Sequence, residues 1–146
     1  AQAIDAALKH LGARRVALAC PYPDWLLAAA HAFWEERGYE IVVGGSVQPD
    51  TGDTRSIYAL QGASAGRAIR EFFGGVEADV FLITGTGMPG LRLLADLTQE
   101  SGGPVLNSNL CLAWHCLEKA GVPLNDRAPG GNFPLLGGWT DGLDRL

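Results

Sequence analysis

The chain alternates short apolar runs with longer stretches in which apolar residues recur at helical spacing. Residues 16–20 and 80–83 are apolar at every position and are flanked by polar or turn-forming residues. Such runs are typical of strands that are buried on both faces of a parallel sheet. Residues 40–47 and 104–107 predict two further strands.

Helices are predicted before, between and after these strands, because each intervening stretch carries an apolar face. Asp24 is a residue type suited to cap the second of them. The glycines expected to end the helices are Gly12, Gly38, Gly74 with Gly75, Gly102 with Gly103, and Gly121. The faces predicted to be buried are Leu26, Ala30 and Phe33; Ala68, Ile69, Phe72 and Phe73; Leu91, Leu94 and Leu97; and Leu110, Ala113, Trp114 and Leu117.

This rhythm predicts an α/β fold, a four-stranded parallel sheet with helices on both faces and right-handed, flavodoxin-like connections. Residues 1–124 are predicted to form this domain. Residues 125–146 are rich in glycine and proline and are predicted to be an irregular tail. In open sheets of this kind ligands bind beyond the carboxyl ends of the strands. The loops that begin at Cys20, Gln48, Thr84 and Asn107 are therefore expected to converge on a site.

Composition narrows the choice of ligand. The chain has 146 residues, a net charge of -5 and no basic run longer than Arg14 with Arg15, which argues against nucleic acid or an anionic membrane as a partner. A small molecule is expected instead. The three cysteines form neither a disulfide framework nor a metal motif, and no apolar stretch is long enough to span a membrane, so a cytoplasmic protein without metal is expected. The start without methionine suggests a fragment or a processed product.

Polar residues at the predicted strand ends are the candidate site. Tyr22 follows the first strand, and its hydroxyl could bind a carboxylate or the ring could simply cover the sheet edge. The turn from Thr84 to Gly87 offers two hydroxyls and accessible backbone amides, although a plain tight turn fits equally well. Asn107 ends the fourth strand, and Ser108 is expected to cap the helix that follows. The loop aspartates Asp50 and Asp53 are interpreted as solvated turn residues.

Three stretches together resemble a known family. They are residues 12–18 leading to Pro21 and Tyr22, residues 78–86, and residues 103–109 followed by Ala113 and Trp114. Over residues 1–124 the chain resembles the second domain of maleate isomerases and arylmalonate decarboxylases, in the aspartate/glutamate racemase superfamily. The resemblance implies a two-domain enzyme without cofactor that binds a small dicarboxylate or malonate-like acid in the cleft between its halves. It also implies that Tyr22 hydrogen-bonds a substrate carboxylate and that the backbone amide of Thr86 contacts the same anion.

The chain departs from that family at Gly85, where relatives carry a catalytic cysteine. Cys20 lies near the expected cleft and is an alternative thiol, although its place at the end of a strand also suits a buried residue. The leading hypothesis is therefore the carboxyl-terminal half of a racemase, isomerase or decarboxylase whose missing amino-terminal half supplies the thiol. A carboxylate-binding domain that has lost catalysis is the second hypothesis, and a nucleotide-binding domain ranks last because no phosphate loop is present. An exposed apolar half-interface would also favour association with a second copy.

Overall fold

The structure, a computed structural model, describes residues 1–47, 62–87, 90–101 and 103–122, together with residue 135. Five helices and four strands alternate in these ranges. In chain order they are α1 (Gln2–His10), β1 (Arg15–Cys20), α2 (Asp24–Glu35), β2 (Glu40–Ser46), α3 (Gly62–Phe73), β3 (Val80–Ile83), α4 (Leu91–Ser101), β4 (Val105–Asn107) and α5 (Ser108–Lys119). The predicted order of elements is confirmed. No helix in the described part of the chain combines the length and apolar character that a membrane span needs.

The four strands form one parallel sheet in the order β2-β1-β3-β4. The predicted α/β fold with a four-stranded parallel sheet is thus confirmed. β1 connects to β2 on one side, whereas β3 connects to β4 on the other side. The strand order therefore reverses between β1 and β3, and in such sheets the crevice at this point is where ligands bind.

Helices cover both faces of the sheet. On one face of the sheet α1 packs against α5, and both helices border a cavity that α2 also lines. On the other face α3 packs against α4. In the sheet itself Leu18, Leu82 and Leu106 lie side by side in register on β1, β3 and β4, and all three are fully buried. Burying a leucine side chain contributes about 1.5–3 kcal/mol, so this row stabilises the centre of the sheet.

The amino-terminal edge of the sheet is tied together by one carboxylate. Oδ2 of Asp79 accepts hydrogen bonds from the backbone nitrogens of Arg14 and Arg15, both at 2.8 Å. These two bonds hold the pKa of the Asp79 carboxyl below its usual range, against a small opposing effect of burial. The start of β1 is thereby joined to the residue that precedes β3, at the opposite edge from the candidate site.

Two consecutive glycines shape the edge strand β2. A Cβ atom on Gly44 would lie 1.8 Å from Nε2 of His31, which comes from α2. A Cβ atom on Gly45 would lie 2.1 Å from the ring of Phe72, which comes from α3. The rings of His31 and Phe72 therefore contact the strand from opposite faces. They fill the space that a side chain at position 44 or 45 would need.

Several local predictions need correction. Asp24 does not cap α2: the N-cap position is Pro23, without a side-chain hydrogen bond, and Asp24 is the first helical residue. In α5 Ala113 is exposed, and Cys111 is buried in its place beside Leu110 and Trp114. Leu117, also predicted to be buried, is exposed, so the helix is buried over a narrower face than its pattern suggested.

The predicted tail, residues 125–146, falls almost entirely outside the described residues. Leu135 is the exception, and it is fully buried within the hydrophobic core. Leu135 therefore packs in the domain, which the absence of a hydrophobic period did not indicate.

Candidate functional site

A cavity of about 510 Å³ opens at the carboxyl edge of the sheet. It is bordered by α1, α2 and α5 and by the loops that follow β1 and β3. This volume lies within the usual range for small-molecule sites. The cavity therefore lies at the point where the strand order reverses.

One end of the cavity is polar. Tyr22, Thr84, Gly85, Thr86 and Ser108 line it. The loops after β1 and β3 meet here because Ala19 and Ile83 are paired in neighbouring parallel strands. Tyr22 and the turn that begins at Thr84 therefore line one cavity, and carboxylate binding by these residues stays a prediction.

The rest of the cavity is apolar. Its wall is formed mainly by side chains of α2, with contributions from α1 and α5. These residues include Ile4, Leu26, Ala29, Ala30, Phe33 and Leu112. The predicted face of α2 therefore lines the cavity and is only partly buried, whereas Trp34 is the buried residue of that helix. Hydrophobic spacing could not distinguish a wall of an open cavity from a core contact.

Thr84 is the most enclosed polar residue of the site. It is 5% exposed, and its Oγ1 atom is buried without a hydrogen bond of good geometry to a described residue. Its hydroxyl lies beside the Cys20 thiol and acts to lower the pKa of that thiol, so Thr84 lines the cavity without presenting an accessible hydroxyl to it.

The turn after β3 is held in an unusual conformation. Gly85 has a φ of +97°, which side chains of L-residues rarely allow. The carbonyl of Thr86 accepts a hydrogen bond of 3.1 Å from Nδ2 of Asn109, at the start of α5. Asn109 therefore orients the turn, a role that sequence reasoning missed because it depends on contact between residues 23 positions apart.

Cys20 is poorly placed to act as the missing thiol. It is fully buried, its Sγ lies 3.7 Å from the carbonyl oxygen of Gly45, and it is not among the described residues lining the cavity. Burial raises the pKa of the thiol to about 11, although the neighbouring Thr84 hydroxyl and the backbone of Tyr22 oppose this rise. A neutral, enclosed thiol is a weak nucleophile and a weak base.

Asn107 ends β4, as predicted, and its side chain caps the helix that follows. Its Oδ1 accepts a hydrogen bond of 2.8 Å from the backbone nitrogen of Leu110 and so caps α5. The cap was expected from Ser108, which instead lies inside the helix and lines the cavity. Contact between Asn107 and a ligand remains a prediction.

The loop that begins at Gln48, with Asp50 and Asp53, lies outside the described residues. Within the described ranges no three His, Cys, Asp or Glu side chains come together closely enough to hold a metal ion. The polar groups described at the cavity are thus hydroxyls and backbone amides, which suit an anionic oxygen.

Comparison with known proteins gives a consistent picture. A family model described as arylmalonate decarboxylase matches residues 1–133. The maleate cis-trans isomerase of Nocardia farcinica, in a structure bound to TRIS, is 27% identical, with a TM-score of 0.78 over 91% of this chain and 52% of its own. A liganded double mutant of arylmalonate decarboxylase is 26% identical, with a TM-score of 0.72 over 82% of this chain and 51% of its own.

The maleate isomerase Iso of Pseudomonas putida is 22% identical with a TM-score of 0.79 over 93% of this chain and 53% of its own, and this likeness concerns the fold. The chain spans about half the length of these solved structures. No curated protein is similar enough in sequence to count as a match.

Proposed function

This chain belongs to the arylmalonate decarboxylase family, and we propose that it forms the carboxyl-terminal half of a cofactor-independent enzyme acting on a small dicarboxylate or malonate-like acid. Racemase, isomerase and decarboxylase activities all occur among the reactions that the family resemblance implies. Decarboxylation fits this chain best. The observation that carries the proposal is the polar part of the cavity, which Tyr22 and the turn from Thr84 to Thr86 line together.

Decarboxylation of a malonate-like acid breaks the bond between the central carbon and one carboxylate, which leaves as CO₂. The electron pair stays on the central carbon and spreads into the retained carboxylate, forming an enediolate. Hydroxyls and backbone amides that surround this carboxylate stabilise the added negative charge. Tyr22 would supply a hydroxyl, and the glycine at position 85 leaves the neighbouring amides accessible.

The enediolate must then receive a proton on carbon. Gly85 has no group to donate one, and the buried Cys20, with its pKa raised to about 11, is not at the cavity wall. The proposal therefore places the acid on residues outside this chain, in a preceding half that would complete the site. One acid is enough for decarboxylation, whereas racemisation requires groups on both faces of the carbon.

The second candidate function is carboxylate binding without catalysis. The glycine at position 85 favours it, because the family resemblance places a catalytic cysteine there. In that case the cavity would bind an acid and release it unchanged. Both functions predict that the cavity binds the acid, and only the first predicts that the acid is converted.

Release of CO₂ from phenylmalonate by the complete protein that contains this chain tests the proposal. We expect turnover, and Tyr22→Phe should lower kcat/KM about tenfold or more, because a hydrogen bond to a charged group contributes about 1.5–3 kcal/mol. Tyr39→Phe is a matched control. The Tyr39 hydroxyl donates to Oδ1 of Asp5 at 2.8 Å and is not at the cavity wall, so its loss should affect stability and leave kcat/KM unchanged.

Binding of phenylmalonate without CO₂ release would support the non-catalytic domain. Turnover that is equally insensitive to Tyr22→Phe and Tyr39→Phe would show that the carboxylate is held elsewhere.

A further inference from the structure

We propose that Asn109 is a positioning residue for the reaction, which holds the turn after β3 so that the backbone amide of Thr86 stays directed at the substrate. This inference rests on the proposed function and adds to it a residue that is not among the described residues lining the cavity. Asn109 is the second residue of α5, whereas Thr86 lies at the cavity wall together with Gly85. Asn109 therefore acts through the turn and does not touch the acid.

Two hydrogen bonds hold the turn on either side of its glycine. At the start of the turn, the backbone nitrogen of Thr84 donates to the carbonyl oxygen of Ala19 on β1 at 3.0 Å. Further along, Nδ2 of Asn109 donates to the carbonyl oxygen of Thr86 at 3.1 Å. The first bond joins the turn to the sheet, and the second joins it to the helix that follows β4. Gly85 lies between these two bonds.

The residues of the turn give it little stiffness of their own. Gly85 has a φ of +97°, Gly87 follows Thr86, and glycine has access to many backbone conformations. The carbonyl of Thr86 shares a planar peptide unit with the nitrogen of Gly87, so a hydrogen bond to that oxygen fixes the whole plane. Rotation of the Thr86 backbone is then restricted, and the amide on the other side of this residue is held as well. Without Asn109 that amide would turn away from the cavity for part of the time.

The start of α5 does not depend on Asn109 for its cap. Oδ1 of Asn107 accepts the hydrogen bond from the backbone nitrogen of Leu110 and so supplies the cap. Asn109 is exposed, so it does not fill the core. Its bond to Thr86 requires a donor, because the acceptor is a carbonyl oxygen. An aspartate has the same shape and no proton to donate at neutral pH, so it separates the hydrogen bond from the size of the side chain.

The effect on the reaction follows from the charge of the enediolate. Negative charge on the retained carboxylate increases as CO₂ leaves, so an amide already in place stabilises the transition state more than the bound acid. An amide that must first turn back towards the cavity loses part of this advantage. Loss of the Asn109 bond should therefore lower kcat and leave KM nearly unchanged.

Release of CO₂ from phenylmalonate by the complete protein, with kcat and KM measured separately, tests this role. We expect Asn109→Leu to lower kcat about tenfold, less than the roughly 100-fold or more that follows complete removal of an oxyanion donor. Asn109→Asp should lower kcat at least as much, although an acidic residue in the first turn of a helix favours its stability. Asn109→Gln keeps a donor and should be faster than both. Cys116→Ser, at an exposed position of α5, is the control and should leave kcat unchanged.

Melting temperatures of the same variants separate positioning from a purely structural role. A structural role predicts that kcat follows stability, so Asn109→Asp would melt at or above the temperature of the unmodified protein and keep its kcat. We expect instead a stable and slow Asn109→Asp variant.

The possible failures are distinguishable. If Asn109→Leu and Asn109→Asp keep kcat within about twofold of the unmodified protein, the positioning role is wrong while the proposed function stands. If Asn109→Gln is as slow as Asn109→Leu, the hydrogen bond is not what the reaction requires, and the positioning role is again wrong. If the unmodified protein releases no CO₂, the proposed function fails, and the positioning role fails with it.

Discussion

Replacement of Gly85 is the sharpest test of the candidate site. The residue stands where the family resemblance places a cysteine, yet its φ of +97° lies in a region that side chains disfavour. Gly85→Cys therefore adds a thiol and also places a side chain where the backbone conformation disfavours one. Either the backbone keeps its conformation under strain, or φ changes sign and the Thr86 amide turns away from the cavity.

The cost can be estimated from the conformation. A residue other than glycine in such a region costs about 1–3 kcal/mol. For a domain of this size each kcal/mol corresponds to about 3 °C in melting temperature. Gly85→Ala and Gly85→Cys should therefore lower the melting temperature by about 3–9 °C. Gly85→Asn should cost less, because asparagine tolerates positive φ better than other side chains.

Gly103→Ala is the matched control. Gly103 is not in the left-handed region, and a Cβ there would lie 3.4 Å from the ring of Phe81, at the limit of ordinary van der Waals contact. This substitution should be nearly neutral or stabilise by up to about 1 kcal/mol through the unfolded state. Thermal unfolding followed by circular dichroism gives the comparison. If Gly85→Ala and Gly103→Ala melt within about 1 °C of each other, the backbone at position 85 is not constrained and this account of the turn is wrong.

Three other predictions concern reactivity and stability. At pH 8 a thiol reagent should modify exposed Cys116 rapidly and the buried Cys20 and Cys111 slowly, since burial raises their pKa values to about 11 and about 12; three equal rates would contradict the buried positions. Asp79→Ala should lower the free energy of unfolding by about 1 kcal/mol in urea denaturation. Because the pKa of Asp79 is lowered in the folded state, this difference should be present above the ordinary aspartate pKa of about 3.9 and vanish as pH falls through the lowered value. Asn107→Ala should cost about 1 kcal/mol by removing a helix cap, and an unchanged unfolding curve would show that the cap is dispensable.

Periodicity was sufficient to predict the sheet and the order of its helices. Runs such as Val80–Ile83 are buried at all four positions, and the fold follows from such runs and from the glycines that end helices. The place of the candidate site followed as well, because parallel strands bring the residues after Cys20 and Ile83 to one edge. These features depend on local sequence and on general rules of topology.

Details of the site depended on choices between similar residues. Asn107 and Ser108 are both good capping residues, and only the backbone geometry decided that Asn107 is the cap and Ser108 is the helical residue at the cavity. The contact between Asn109 and Thr86 joins distant parts of the chain. The apolar face of α2 was predicted, but this face borders a cavity. Apolar spacing alone does not indicate whether a helix face contacts the core or lines a cavity.

The two adjacent glycines of β2 have a consequence for the order of folding. The rings of His31 and Phe72 fit against Gly44 and Gly45 from opposite faces, and the first ring belongs to the helix before the strand whereas the second belongs to the helix after it. The carboxyl-terminal half of β2 thus gains its side-chain contacts only when both flanking helices have docked. We expect this strand end to acquire protection from hydrogen exchange late in refolding, after the pairing of β1 with β3, and to be the first part of the sheet to open in the native state.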